Sequence, residues 1–117
     1  MGDRALIVFK EAGAETSPSV YLHWGGHDVG ELLTGAAQNM RAGDAGDACA
    51  RFVGHCHEQI PGGMSLGLFN APEDGRPDSH GDAGVFIVDV TTGEVETYGG
   101  YGFAHNPPEL PLQLGRF

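Results

Sequence analysis

His23 and His27 are four residues apart and flank Gly25-Gly26 in the stretch VYLHWGGHDVGELL, residues 20–33. Two imidazoles beside a carboxylate, Asp28, offer proton transfer or metal ligation if the chain folds them together. The corner also has a structural explanation. Paired glycines let a strand turn sharply, and Asp28 fits a helix N-cap with Glu31 three residues on as its capping-box partner. On that reading Trp24 belongs to the core, and His23 and His27 are the residues left over for a site.

Other chemistry-bearing patterns are weaker. Gly63-Met64-Ser65-Leu66-Gly67 satisfies G-x-S-x-G, but it follows a helix and enters a strand, the inverse of the strand-to-helix elbow that activates a serine. Zinc-type ligands are scattered over His23, His27, His55, Cys56, His57, His80 and His105. Cys56 faces a helix core while His55 and His57 diverge, so no ligand set emerges. Asp78-Ser79-His80-Gly81-Asp82 with Asp89 resembles a calcium loop but has histidine at the third position and a displaced glycine. No phosphate-cradling loop is present, since GGYG at 99–102 lacks both a lysine and a following helix. These patterns predict no catalytic residue, no metal site and no cofactor.

Charge narrows the partners. Sixteen carboxylates stand against six lysines and arginines, a net charge of −10. Such a chain is repelled by nucleic acid and by anionic membranes, and it suits a protein with a basic surface. Protonating all six histidines would bring the charge to −4, so binding can depend on pH.

The elements that must carry these groups follow from periodicity. The 117 residues make one domain. Residues 4–10 and 19–24 read as the strands of a hairpin with a long loop, Val20, Leu22 and Trp24 facing one way and Tyr21 and His23 the other. Residues 29–41 are an amphipathic helix closed by Gly43. A second helix starts near Asp44 or Asp47, buries Ala45, Cys49, Phe52, Val53, Cys56 and Ile60, and stops at Pro61-Gly62-Gly63. Its two cysteines lie ~10 Å apart on one face, too far for a bridge, and are expected reduced and buried. Residues 64–69 are a short strand and 71–84 a polar, mobile loop; 85–90 and 94–100 form a hairpin turning at Thr92-Gly93. The expected fold is α+β, ββααβββ, an antiparallel sheet with two helices on one face. The proline-rich tail, 103–117, either docks or stays loose.

Alternation places Tyr21, His23, Phe69, Val85, Ile87, Asp89, Glu96 and Tyr98 on the sheet face away from the helices. That face is too apolar to be left wet, so the tail covers it, through Leu110, Leu112 and Leu114, or another chain does. The expected partner interface is Tyr21, His23, His27, Phe69, Asp89, Glu96 and Tyr98 with the loop carboxylates Glu73, Asp74, Asp78 and Asp82. The protein is expected to be a monomer or homodimer. With no membrane-length apolar run and no signal-peptide layout in MGDRAL, it is expected to be cytoplasmic.

The first half of the chain, through Tyr21 to Gly26, Leu32-Leu33 and Ala50-Arg51-Phe52, resembles small uncharacterised bacteriophage-encoded proteins. The resemblance implies a phage setting, the host cytosol, and a role like that of anti-CRISPR inhibitors that occupy a nucleic-acid-binding surface of a host defence complex. The alternative is a small-molecule or nucleotide binder, or a metal-assisted enzyme, using His23, His27 and Asp28.

Overall fold

Two stretches of the chain are apolar without alternation, ALIVF at 5–9 and VFIV at 85–88, and both become central strands buried on both faces. In the computed structural model, which describes residues 2–12, 16–59 and 66–115, the elements run β1 (Ala5–Lys10), β2 (Ser19–Leu22), a 3-10 turn (Gly26–Asp28), α1 (Val29–Ala37), α2 (Ala45–Gln59), β3 (Leu66–Phe69), β4 (Gly84–Asp89) and β5 (Val95–Tyr98). The five strands form one sheet in the order β3-β2-β1-β4-β5. The class and the ββααβββ order agree with expectation. The sheet, however, is mixed: β1 and β4 are parallel, Ala5 opposite Gly84 through Lys10 opposite Asp89, and the other pairs are antiparallel. Alternation reports faces, not strand direction, and the non-alternating runs were the cue to a parallel central pair.

One face of the sheet carries Ala5, Ile7, Phe9, Val20, Leu22, Phe86 and Val88 into a core shared with α1 and α2. Val29, Leu32, Leu33, Ala36 and Ala37 come from α1; Ala45, Ala48, Cys49, Phe52 and Cys56 come from α2. Phe9 and Phe52 meet with centroids 5.6 Å apart. Both cysteines are free and buried, and burial pushes the Cys56 thiol up to about 12, so it behaves as an apolar group.

The start of α2 agrees with expectation, and both ends of α1 differ from it. Asp44 caps α2, its Oδ1 accepting from the Asp47 N–H at 2.9 Å. The Asp28 side chain makes no cap bond to α1. α1 stops at Ala37, four residues short of the expected end, because the C-terminal segment takes over: the Gly115 N–H donates to the carbonyls of Ala37 and Met40. That segment docks on the helix side, with Leu112 buried, Phe103 against Phe86 at 5.0 Å, and the Leu112 N–H donating to the Gly93 carbonyl. It therefore does not cover the opposite face.

The loop that precedes β4 takes that place. Leu6, Val85 and Ile87 are buried there, with Tyr21 and Tyr98 packed against them. Residues of the loop expected to be mobile over 71–84 are pinned beside them. Pro77 accepts from the Tyr98 hydroxyl at 2.6 Å, Ser79 Oγ donates to the Gly99 carbonyl at 2.6 Å, and His80 packs on Tyr21. Among the described residues, no helix is long and apolar enough to cross a membrane.

Candidate recognition surface and the carboxylate–histidine latch

β2 ends at Leu22, so Trp24 leaves the sheet and stands 40% exposed, against its expected place in the core. Its ring meets His23 edge-on at 5.1 Å between centroids. The His23 Nδ1 and the Tyr21 hydroxyl share a hydrogen bond of 2.7 Å. Across the β2–β3 pair, Tyr21 stacks on Phe69 at 5.3 Å, and His80 closes on both rings at 5.6 and 6.1 Å. Five rings thus form one row along the β2–β3 side of the sheet, linked at distances typical of aromatic pairs. Its ends are open, Phe69 at 46% exposure facing solvent as Trp24 does.

The loop that follows β3 carries four carboxylates. Glu73, Asp74 and Asp78 are exposed, and no side chain among the described residues pairs with them in a salt bridge. Asp82 differs: it accepts from the backbone N–H and the Nε of Arg4, and that partner holds its carboxyl below the usual range.

His27 lies on the other side of the Gly25-Gly26 break. Gly25 has φ +97°, and a Cβ on Gly26 would sit 2.7 Å from both the Ala83 Cβ and the Asp3 carbonyl oxygen. Only glycines fit this corner. The chain delivers the His27 ring to Asp3: the backbone N–H and Nδ1–H both donate to Asp3 Oδ2, at 3.0 and 2.5 Å. Asp3 Oδ1 accepts from the Tyr101 hydroxyl. Asn106 Nδ2 donates to the His27 carbonyl at 2.8 Å. The N-terminal segment, the corner and the segment after β5 are thereby tied through one carboxylate.

Electrostatics follow the geometry. Burial works to raise the Asp3 pKa, but donors from Tyr101 and His27 outweigh it and hold the carboxyl below its ordinary value. The Asp3 hydrogen bond raises His27, with Asp28 and Glu31 adding to it. Burial, and then the Asp3 carboxylate, push the Tyr101 hydroxyl upward. A carboxylate on Nδ1 fixes the imidazole tautomer and leaves Nε2 outward, with Asp28 Oδ1 3.7 Å away. That is the orientation of a general base or of a metal ligand. No group of three or more His, Cys, Asp or Glu residues capable of holding a metal ion forms among the described residues. A groove of about 510 Å³ lies between α1 and residues 105–109, lined by Glu31, Thr34, His105, Asn106 and Glu109 among others, and His27 is not in its wall.

The structure divides the residues named from sequence. Tyr21, His23 and Phe69 come together in the ring row, with Glu73, Asp74, Asp78 and Asp82 carried on the loop that follows β3. Glu96 and Tyr98 lie on β5 and are engaged by the same loop: Arg76 binds Glu96 at 2.8 Å and lies 4.5 Å over the Tyr98 ring. Asp89 shapes a turn, its Oδ1 accepting from the Thr91 and Thr92 N–H groups. With Asp82 on Arg4 and Asp89 in its turn, the calcium-like pattern does not converge. His27 is held apart from His23 by different partners. Ser65 of the G-x-S-x-G stretch lies outside the described residues. Asp3 and Tyr101 carry no local signal, because Asp3 lies 24 positions from its imidazole partner, His27, and 98 from its phenol partner, Tyr101; Trp24 leaves the core because β2 ends two residues before it.

Comparison with known proteins brings no precedent: no protein-family model, no curated protein and no solved structure matches the chain.

Proposed function

We propose that this chain is a small acidic protein-binding protein that docks on a basic surface of a partner protein. The observation that carries the reading is the row Trp24–His23–Tyr21–Phe69–His80, exposed at Trp24 and Phe69, on a chain of net charge −10. Rigid aromatic groups on a strand supply the desolvated anchor of an interface, and surrounding charge supplies steering and partner choice. In the phage setting, the partner is the nucleic-acid-binding surface of a host defence complex, and the carboxylates of residues 73–82 stand where phosphates would lie. Binding in the host cytosol, without direct contact to nucleic acid, belongs to this reading.

The experiment pairs capture with competition. Wild-type protein and a Trp24→Ala/Phe69→Ala variant are used as bait in a host lysate, and the retained complex is assayed for DNA or RNA binding with and without added protein. Retention of a nucleic-acid-binding complex by wild type alone, shed at about 500 mM salt and blocked from its nucleic acid, supports the proposal. Equal retention by the variant, or retention indifferent to salt, sinks it.

The outward Nε2 of His27 is the one observation favouring a catalytic or ligand-binding corner. His23 does not join it, and the neighbouring groove does not include it, so the ring row is the better supported site.

A further inference from the structure

The sheet has two edges, and they are built differently. On β5, Glu96 sits mid-strand and is bonded to Arg76, which also covers Tyr98. A charged, loop-braced strand of this kind resists pairing with another chain. On β3 the sequence is Leu66-Gly67-Leu68-Phe69, with no charge and no proline. Its inner side pairs with β2, and no strand among the described residues pairs with its outer side. Leu68 is 57% exposed on the helix-side face and Phe69 is open on the other, so an apolar side chain flanks the edge on each face. A Cβ built on Gly67 meets nothing within 4 Å, which leaves a notch beside Tyr21, its cross-strand neighbour.

We propose that the outer side of β3 accepts an extended, cationic segment of a partner protein as a sixth strand. This rests on the protein-binding reading above and specifies its partner. Backbone hydrogen bonds would supply the affinity, and alternate apolar side chains on the Tyr21 face would enter the Gly67 notch and pack on Phe69. Charge selects the occupant. A second copy of this chain would bring a net charge of −10 against −10. A lysine- or arginine-bearing segment instead brings charge opposite to that of this chain.

The test is calorimetric, with two peptides of equal charge. One is an octapeptide alternating valine and lysine; the other is the same peptide N-methylated at its two central residues, which blocks hydrogen bonding along both of its edges. The wild-type protein is expected to bind the first roughly tenfold more tightly than the second, the scale of one or two lost hydrogen bonds. Leu68→Lys, which places a charge on the edge, is expected to abolish the difference while leaving the circular dichroism spectrum unchanged. Equal affinity for the two peptides removes strand addition and leaves docking by charge alone, so the broader reading survives. Absence of binding by either peptide overturns the inference. So does a wild-type dimer in sedimentation that Leu68→Lys converts to monomer, because the edge would then belong to a second copy.

Discussion

His23 and His27 are the same residue type, four positions apart, and the fold gives them opposite tasks. His23 bonds a phenol and edges against an indole, in a row of rings open to solvent. His27 is clamped by a carboxylate that also holds Tyr101 and anchors the N-terminal segment. The break at Gly25-Gly26 separates a surface that can be given to a partner from a joint that keeps the domain closed. A half-buried histidine held by one hydrogen bond and ring edges contributes little to stability and can serve recognition, whereas one on a multiply bonded carboxylate is committed to structure.

Asp3→Asn should make this contrast largest. It removes the charge that accepts from His27 Nδ1, the His27 backbone and Tyr101, and the pinned segments include the start of β1. A loss of about 2–3 kcal/mol is expected in urea denaturation. A loss below about 0.5 kcal/mol would mean the latch is not structural. The row of rings should keep its partner wherever the variant remains folded.

The latch should also carry a pH signature. His27 is raised by Asp3, so its charged contribution is complete below its ordinary value of 6.5 and fades as pH climbs through the raised one. Asp3 is lowered, so its contribution is complete above 3.8 and fades as pH falls through the lowered value. The pair is therefore strongest between those ordinary values. Because the His27 side chain is 52% exposed, solvent screening keeps this effect small, below about 1 kcal/mol. The wild-type melting advantage over His27→Gln should be larger near about pH 5.5 than near about pH 8.5; an advantage that grows with pH would reverse the assignment.

His23→Ala should be the mildest change for stability, within about 1 kcal/mol, since it removes one part-buried hydrogen bond and ring contacts at the surface. Partner capture should nonetheless fall, because the row would be broken between Trp24 and Tyr21. A variant with wild-type capture and a large melting shift would exchange the roles of the two histidines.

How far the sequence carried is visible in particular elements. The α1 and α2 stripes, the β4–β5 turn at Thr92-Gly93 and the face shared by Tyr21, Val85, Ile87 and Tyr98 were all legible, because helical and strand periods are local properties of side-chain geometry. The parallel β1–β4 pair was signalled only by two non-alternating apolar runs. The candidate site was half legible: Tyr21, His23 and Phe69 fall on one face by alternation, but the exposure of Trp24 depends on where β2 stops.

By itself, the sequence determined the net charge of −10, the elements and the face each side chain takes, all set by composition and by contacts a few residues long. Tertiary structure alone decided that Asp3 would meet His27 and Tyr101, that a polar loop and not the tail would lie over the far face, and that β3 would be the edge. Those pairings join segments up to 98 positions apart, and no local period records which distant backbone will close against which.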